Sequence, residues 1–312
     1  MSLHAVELSF PLAWQVPLWK YKPGHFLSHF LGHEGPGSLH SYLKGKGWIT
    51  SLNAAPQALG RGFAMIKITM ILTSEGFGMS LCVFTTSNQR SWRSIDNYRS
   101  VVLTAFKYLS LLRSSEIAPW YQSEVATISR TQFEFAEKRE AEAHAISIAE
   151  RMSWPIPTEK ALSAPVLLSE WEDETGLREV RDALKDMQIG TGRVVLMAKR
   201  EEHERVSGEL LWQSEKWYGT GYTVEQWDSE FLAQVHKPQC LVIGASADDM
   251  PCDKAQGPND IQELRLPKRN EFIPTNLHVE KREVTEVCRH FMRDKFVTDV
   301  TSKATKAASS HP

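Results

Sequence analysis

Residues 23–48, PGHFLSHFLGHEGPGSLHSYLKGKGW, hold four histidines (His25, His29, His33 and His40) and one glutamate, Glu34. On a helix, His25, His29 and His33 fall four residues apart and share a face, beside an apolar stripe of Phe26, Leu27, Phe30 and Leu31. Two histidines at i and i+4 are the ligand pair of zinc-binding hydrolytic helices, in which a glutamate acts as general base. An H-E-x-x-H site would need that glutamate at Phe30, and the inverted H-x-x-E-H order would need it at Gly32. A histidine pair without the proton acceptor can hold a metal but hydrolyses poorly. The other reading makes these histidines the polar face of a buried helix.

No other catalytic constellation competes. H-x-x-E-H and H-E-x-x-H are absent throughout, as are a G-x-S-x-G elbow and a Walker loop. The chain therefore reads as no autonomous peptidase: no catalytic residue and no metal ligand set is assigned to it. Four cysteines, Cys82, Cys240, Cys252 and Cys288, are too few and too scattered for a disulfide framework, and Cys240 and Cys252 match no common zinc-ribbon spacing.

The elements that must position the histidine stretch are legible from periodicity. Residues 4–12 alternate, with Val6, Leu8 and Phe10 on one face, as a half-buried strand does. Gly35-Pro36-Gly37 ends the histidine helix, and Ser38 can cap a second short one. Residues 48–53 read as a strand and 54–60 as a turn. Residues 63–73 read as a long strand with Ala64, Ile66, Ile68, Met70 and Leu72 on its apolar face. Helices follow over 98–113, 119–136 and 139–153. The second has apolar positions at Val125, Ile128 and Phe135, and the third at Ile146, Ala149 and Met152, with the charged run EKREAE as a solvated face. Trp154-Pro155-Ile156-Pro157 breaks this helical run. Shorter helices start at Thr158 and span 177–187, 193–199 reads as a buried strand, and the aromatic 217–222 reads as packing. The pattern predicts an α+β fold, an antiparallel-rich sheet with helices on one face.

The chain has 312 residues, 42% hydrophobic and 24% charged, with a net charge of -2. That composition suits one large globular domain or two smaller ones. It lacks the basic excess of nucleic-acid binders, an apolar run of membrane-spanning length and a basic-then-apolar leader, so a cytoplasmic placement is expected, with neither nucleic acid nor membrane as partner.

Several spaced blocks share one resemblance. LHAVELSFPL at 3–12, the histidine run through Trp48, LGRGF at 59–63, EKWYGTGY at 215–222 and LPKRNEFIPTN at 266–276 resemble, in order, the second (middle) domain of the insulinase (pitrilysin-type, inverted-zinc) metallopeptidases of insulin-degrading and a-factor-processing type. The resemblance implies a two-layer α/β sandwich like that of the mitochondrial processing peptidases, spanning residues 1–283. It further implies a fragment of a zinc metalloendopeptidase, with zinc in a separate catalytic domain and none bound by this chain. The implied role is substrate handling: a non-catalytic chamber domain whose exosite anchors peptide N-termini, partnered by peptide substrate and the other domains of the parent enzyme. The family's exosite falls on His25, His29, Gly32 and Glu34, with Leu52, Asn53 and Ala54 on the following strand. Pro56 departs from the family pattern and removes a backbone donor there. The alternative is a catalytically dead scaffold working through protein contacts.

Three blocks interrupt the resemblance: about 77–97, about 235–256, and the end of the chain, with 284–312 expected to be a disordered or non-native tail. They read either as retained intron or mispredicted coding sequence, or as two surface loops and a tail.

Overall fold

A computed structural model of the chain describes residues 3–84, 90–95, 97–169, 171, 174–236 and 264–274, with backbone alone over 79–84 and 90–95. Met1–Ile273 forms one compact unit; of a second, Pro274–Pro312, only Pro274 is described.

Strict alternation fixes the centre of the sheet. Strand β1 (Ala5–Leu12) is followed by helices α1 (Pro23–Leu31) and α2 (Leu39–Gly45), then by strands β2 (Ile49–Gly60) and β3 (Phe63–Leu72). β1 and β3 pair antiparallel with Phe10 opposite Ile66, Leu8 opposite Ile68 and Val6 opposite Met70. All six side chains are fully buried, so the two strands present one apolar face. The opposite face carries Glu7 and Lys67, ion-paired at 3.1 Å.

The rest of the chain builds around that pair. Helix α3 (Ser74–Phe77) and strands β4 (Met79–Phe84) and β5 (Arg90–Ile95) precede the long helix α4 (Asn97–Ser114). Helices α5 (Pro119–Glu134), α6 (Ala141–Met152) and α7 (Thr175–Asp186) follow. After them come β6 (Arg193–Met197), α8 (Arg200–Ser207), the short strands β7 (Gln213–Ser214) and β8 (Gly221–Tyr222), and α9 (Ser229–His236). The main sheet runs β2-β3-β1-β6, every pairing antiparallel. α1, α2, α4 and α7 cover its apolar face, with Leu27, Leu43, Phe106 and Val180 meeting the strand side chains in one core. The expected α+β architecture is present.

Three local expectations need correction. Residues 54–60 do not turn: β2 runs on to Gly60, because β3 offers it a partner along its whole length and an edge strand tolerates Pro56. The turn is confined to Arg61-Gly62, with Gly62 at φ 81. β6 is the other edge strand, and its Val194, Val195 and Leu196 are half-buried rather than enclosed. α6 buries no residue, leaving Ile146 and Met152 open, and Phe135 is also exposed beyond α5, whose Val125 is buried as expected. Within the block at 77–97, among the described residues, Phe77 is buried against His4, and β4 and β5 form an antiparallel ladder. The block at 235–256 lies outside the described residues beyond His236, as do the tail and Cys240, Cys252 and Cys288.

Candidate functional site

The histidine helix is held from below. Lys22 turns the chain in the left-handed region (φ 43, ψ 57), and Pro23, whose φ is already helical, takes the first helical position. The Lys22 ammonium donates to the Leu167 carbonyl, and burial pulls its pKa down to about 8. Phe26, Leu27, Phe30 and Leu31 are fully buried. Phe30 packs on Tyr121 with ring centroids 4.8 Å apart, and the Tyr108 hydroxyl donates to the Phe30 carbonyl at 3.2 Å. That bond satisfies one of the carbonyls a helix leaves unpaired at its C-terminal end. Beyond the turn, the Ser38 hydroxyl accepts the Ser41 N–H at 3.1 Å and caps α2.

The upper face carries the polar groups, in graded exposure. His25 is exposed at the start of α1, and Glu34 is exposed past its end. His33 is half-buried, and its Nδ1 accepts the Gly35 N–H at 3.0 Å, so the proton of the neutral ring sits on Nε2. His29 lies between them with 20% of its side chain exposed, but its Nε2 is enclosed and has no hydrogen-bond partner among the described residues. Burial, and then the neighbouring His33 and His25, pull the His29 pKa down to about 4. His33 is also lowered by burial, against the opposing pull of Glu124 and Glu34.

Glu124 escaped the sequence reading. It reaches the site from α5, its side chain only 8% exposed, with Oε1 3.7 Å from His29 Nε2. Its other oxygen accepts the Asn270 N–H at 3.0 Å. Asn270 belongs to a strap, 264–270, that ties the turn after α1 to α5. The Arg265 N–H donates to the Gly37 carbonyl at 2.9 Å, and the Tyr121 hydroxyl donates to the Pro267 carbonyl at 2.7 Å. Gly37 is required there: its φ is 84, and a Cβ would meet the Arg265 side chain at 2.3 Å. The sole sequence signal for Glu124 is its place between Tyr121 and Val125, two buried positions of α5, which sets a carboxylate at the edge of an apolar stripe.

The helix end meets an open sheet edge. A Cβ on Gly32 would lie 3.1 Å from the Ser28 carbonyl and 3.9 Å from the Ala54 nitrogen, so the end of α1 abuts β2. Among the described residues β2 pairs with β3 on one side only. Pro56, opposite Ile66, has no N–H and so takes a position whose nitrogen faces away from β3. The register is unbroken from Ser51 to Ala58, so by alternation Leu52 and Ala54 also turn their N–H and C=O toward the open edge. The buried Leu52 side chain sits in the core and leaves only its backbone to a ligand, while Asn53 projects from the solvent face. The structure thus brings His29, Gly32, Glu34, Leu52 and Ala54 to one corner, sets His25 at the far end of α1, and adds His33 and Glu124.

The corner presents the exposed Glu34 carboxylate, the enclosed Glu124 carboxylate and the backbone groups of β2 that turn away from β3. It does not fit a zinc ion: among the described residues, no three His, Cys, Asp or Glu side chains are placed to hold a metal. Among the same residues no helix is long and apolar enough to cross a membrane.

The chain belongs to the insulinase-type peptidase M16 family. The M16 inactive domain matches residues 1–87, and the middle or third domain of peptidase M16 matches residues 133–296. It is 28% identical to the A-factor-processing enzyme of Saccharomyces cerevisiae over 90% of this chain and 22% of that protein. It is likewise 28% identical to the insulin-degrading enzyme of Homo sapiens over 84% of this chain and 21% of that protein. Pitrilysin shares the fold, with a TM-score of 0.66 and 18% identity over 88% of this chain and 24% of its own. The chain spans only about a quarter of the length of such relatives. The segments it matches are non-catalytic domains of a zinc-peptidase family.

Proposed function

We propose that this chain anchors the N-terminal stretch of a peptide for a zinc peptidase whose catalytic domain, with its zinc, lies in another part of the parent enzyme. The observation that carries this reading is the pairing of an open edge strand with an anionic helix end. Leu52 and Ala54 turn backbone groups outward beside Gly32, and Glu34 is exposed just past the end of α1. An extended peptide adds to β2 as a further strand, its backbone supplying affinity. Its terminal ammonium is drawn to the carboxylate. Pro56 offers no donor, so the added strand ends its hydrogen bonding there, which keeps the docked segment short. Asn53 contributes at the rim of the corner, and His25 further off, at the start of α1. Hydrolysis belongs to the parent enzyme, and its remaining domains are the chain's other partners. A cytoplasmic peptide pool is the proposed source of substrate.

The test is fluorescence anisotropy with an unstructured ten-residue peptide labelled at its C-terminus, titrated with the 312-residue chain. Saturable binding without cleavage is expected, weakened by Ala54→Pro, which denies the edge an N–H. Cleavage by the purified chain, or binding indifferent to Ala54→Pro, would overturn the reading. A second reading, a scaffold acting through protein contacts, draws on one feature: Trp217 and Tyr218 are 79% and 92% exposed at the β7–β8 turn.

A further inference from the structure

We propose that the hollow between the β7–β8 hairpin and α8 binds a carboxylate carried by a peptide, with the Arg200 guanidinium as its receptor. This second subsite uses none of the corner's residues and does not depend on the anchoring reading above.

The hollow holds about 500 Å³, within the range of pockets that take small ligands. Among the described residues Arg200 is the only charged one lining it, beside Trp212, Gln213, Ser214, Gly219 and Gly221. A Cβ on Gly219 would meet nothing within 4 Å, so the hairpin wall stands clear there. Arg200 is the first residue of α8, and its side chain is fixed by two neighbours. Its Nε donates to Glu204 Oε1 at 2.8 Å, one turn along the helix, and Trp212 Nε1 donates to the same oxygen at 2.9 Å. The guanidinium also lies over the Trp212 ring, 5.2 Å from its centroid, a cation–π contact. Each of the three residues thus holds the other two in place.

That arrangement spends one guanidinium nitrogen and leaves two. Among the described residues Arg200 makes no ion pair beyond Glu204, and that pair runs through Nε. Nη1 and Nη2 remain, the end of a planar fork whose spacing matches the two oxygens of a carboxylate. Nearby acids do not compete for them. Glu204 Oε1 already takes two donors, and the two Glu215 oxygens accept the Trp217 and Tyr218 N–H groups. The Gln213 amide and the Ser214 hydroxyl add donors to the lining. One guanidinium suits a monoanion better than a phosphate of nearly double charge. Membership of a peptidase family makes a peptide the bearer of that carboxylate, through its C-terminus or an acidic side chain. The exposed Trp217 and Tyr218, directly before Gly219, offer ring surface to the neighbouring side chain.

The experiment is titration calorimetry of the 312-residue chain with three N-acetylated peptides of one neutral sequence. One ends in a free carboxylate, one in an amide, and one in an amide with a single internal glutamate. Wild type should bind a carboxylate peptide about fivefold more tightly than the plain amide, the lower end for a charged contact open to water. Whichever carboxylate peptide gains identifies the source, terminus or side chain. Arg200→Gln should bind all three alike, Arg200→Lys should keep part of the preference, and Ala54→Pro should keep all of it. The ratio of affinities cancels any loss of folded protein. Equal binding of the three peptides by wild type, or a preference that survives Arg200→Gln, would overturn the proposal. So would its loss in Ala54→Pro, which would put the contact on β2. A preference intact in Ala54→Pro, with affinity for every peptide unchanged, would sink the anchoring reading and sustain this one. Failure to bind any of the peptides would sink both.

Discussion

Two segments with conspicuous side chains, the histidine helix α1 and the aromatic hairpin β7–β8, end up in opposite situations. α1 buries four large apolar residues, takes a hydrogen bond from Tyr108 and is strapped through Glu124 and Asn270. The hairpin leaves Trp217 and Tyr218 in solvent and is held by local bonds, the Glu215 carboxylate accepting the N–H groups of Trp217 and Tyr218. A hollow of about 500 Å³ lies between it and α8, lined by Ala198, Arg200, Trp212 and Gly219. The expectation that 217–222 is packing is overturned for its two largest rings within this chain. The difference teaches that residue type alone does not tell core from surface. α1 has apolar residues spaced to meet a sheet, whereas Trp217 and Tyr218 are adjacent on a tight turn that nothing in the described residues covers.

The comparison can be broken by mutation. Phe30→Ala should cost the most, about 3–5 kcal/mol in urea unfolding, because it opens a cavity between Phe26 and Tyr121 in a fully buried layer. A loss under about 1 kcal/mol would mean that α1 is not anchored as described.

Acid should come next. His29 titrates at about 4 in the folded chain against 6.5 as the ordinary value, so between these pH values the unfolded chain binds the extra proton. Stability from this group is therefore complete above pH 6.5 and declines as pH falls toward 4, by up to about 3 kcal/mol. Urea midpoints measured from pH 7 to pH 4 should fall, and His29→Leu should flatten the slope. An unchanged slope would place the titration elsewhere.

Ser38→Ala should remove the α2 cap for about 1 kcal/mol, read in the same assay. Trp217→Ala is the smallest expected effect, within about 0.5 kcal/mol, as for exposed positions away from special contacts. A loss above 1 kcal/mol would show that the hairpin packs after all and would close the contrast with α1.

Much of the frame was legible because its causes are local. The alternation of Val6, Leu8 and Phe10, and of Ile66, Ile68 and Met70, selects a strand and its buried face wherever the strand goes. The Gly35-Pro36-Gly37 break and the Ser38 cap fix where α1 ends and α2 begins, since capping is settled within a few residues. The helical spans of α5 and α6 followed from spacing in the same way, but their exposure did not. Ile146 and Met152 have helical spacing and no partner among the described residues, and spacing cannot supply one.

Of the corner itself, the sequence determined the histidine face, Gly32 and Glu34, which lie within one short stretch. Only the tertiary structure decided that β2 is an edge, that Ala54 abuts Gly32, and that Glu124 and Asn270 arrive from α5 and from the far end of the described chain. The physical reason is sequence distance. Glu124 and Asn270 are 146 residues apart, and no local pattern records which carboxylate a distant strap will enclose. That choice was made by the core, which packs Phe30 on Tyr121 and thereby sets Glu124, one turn further along α5, against His29.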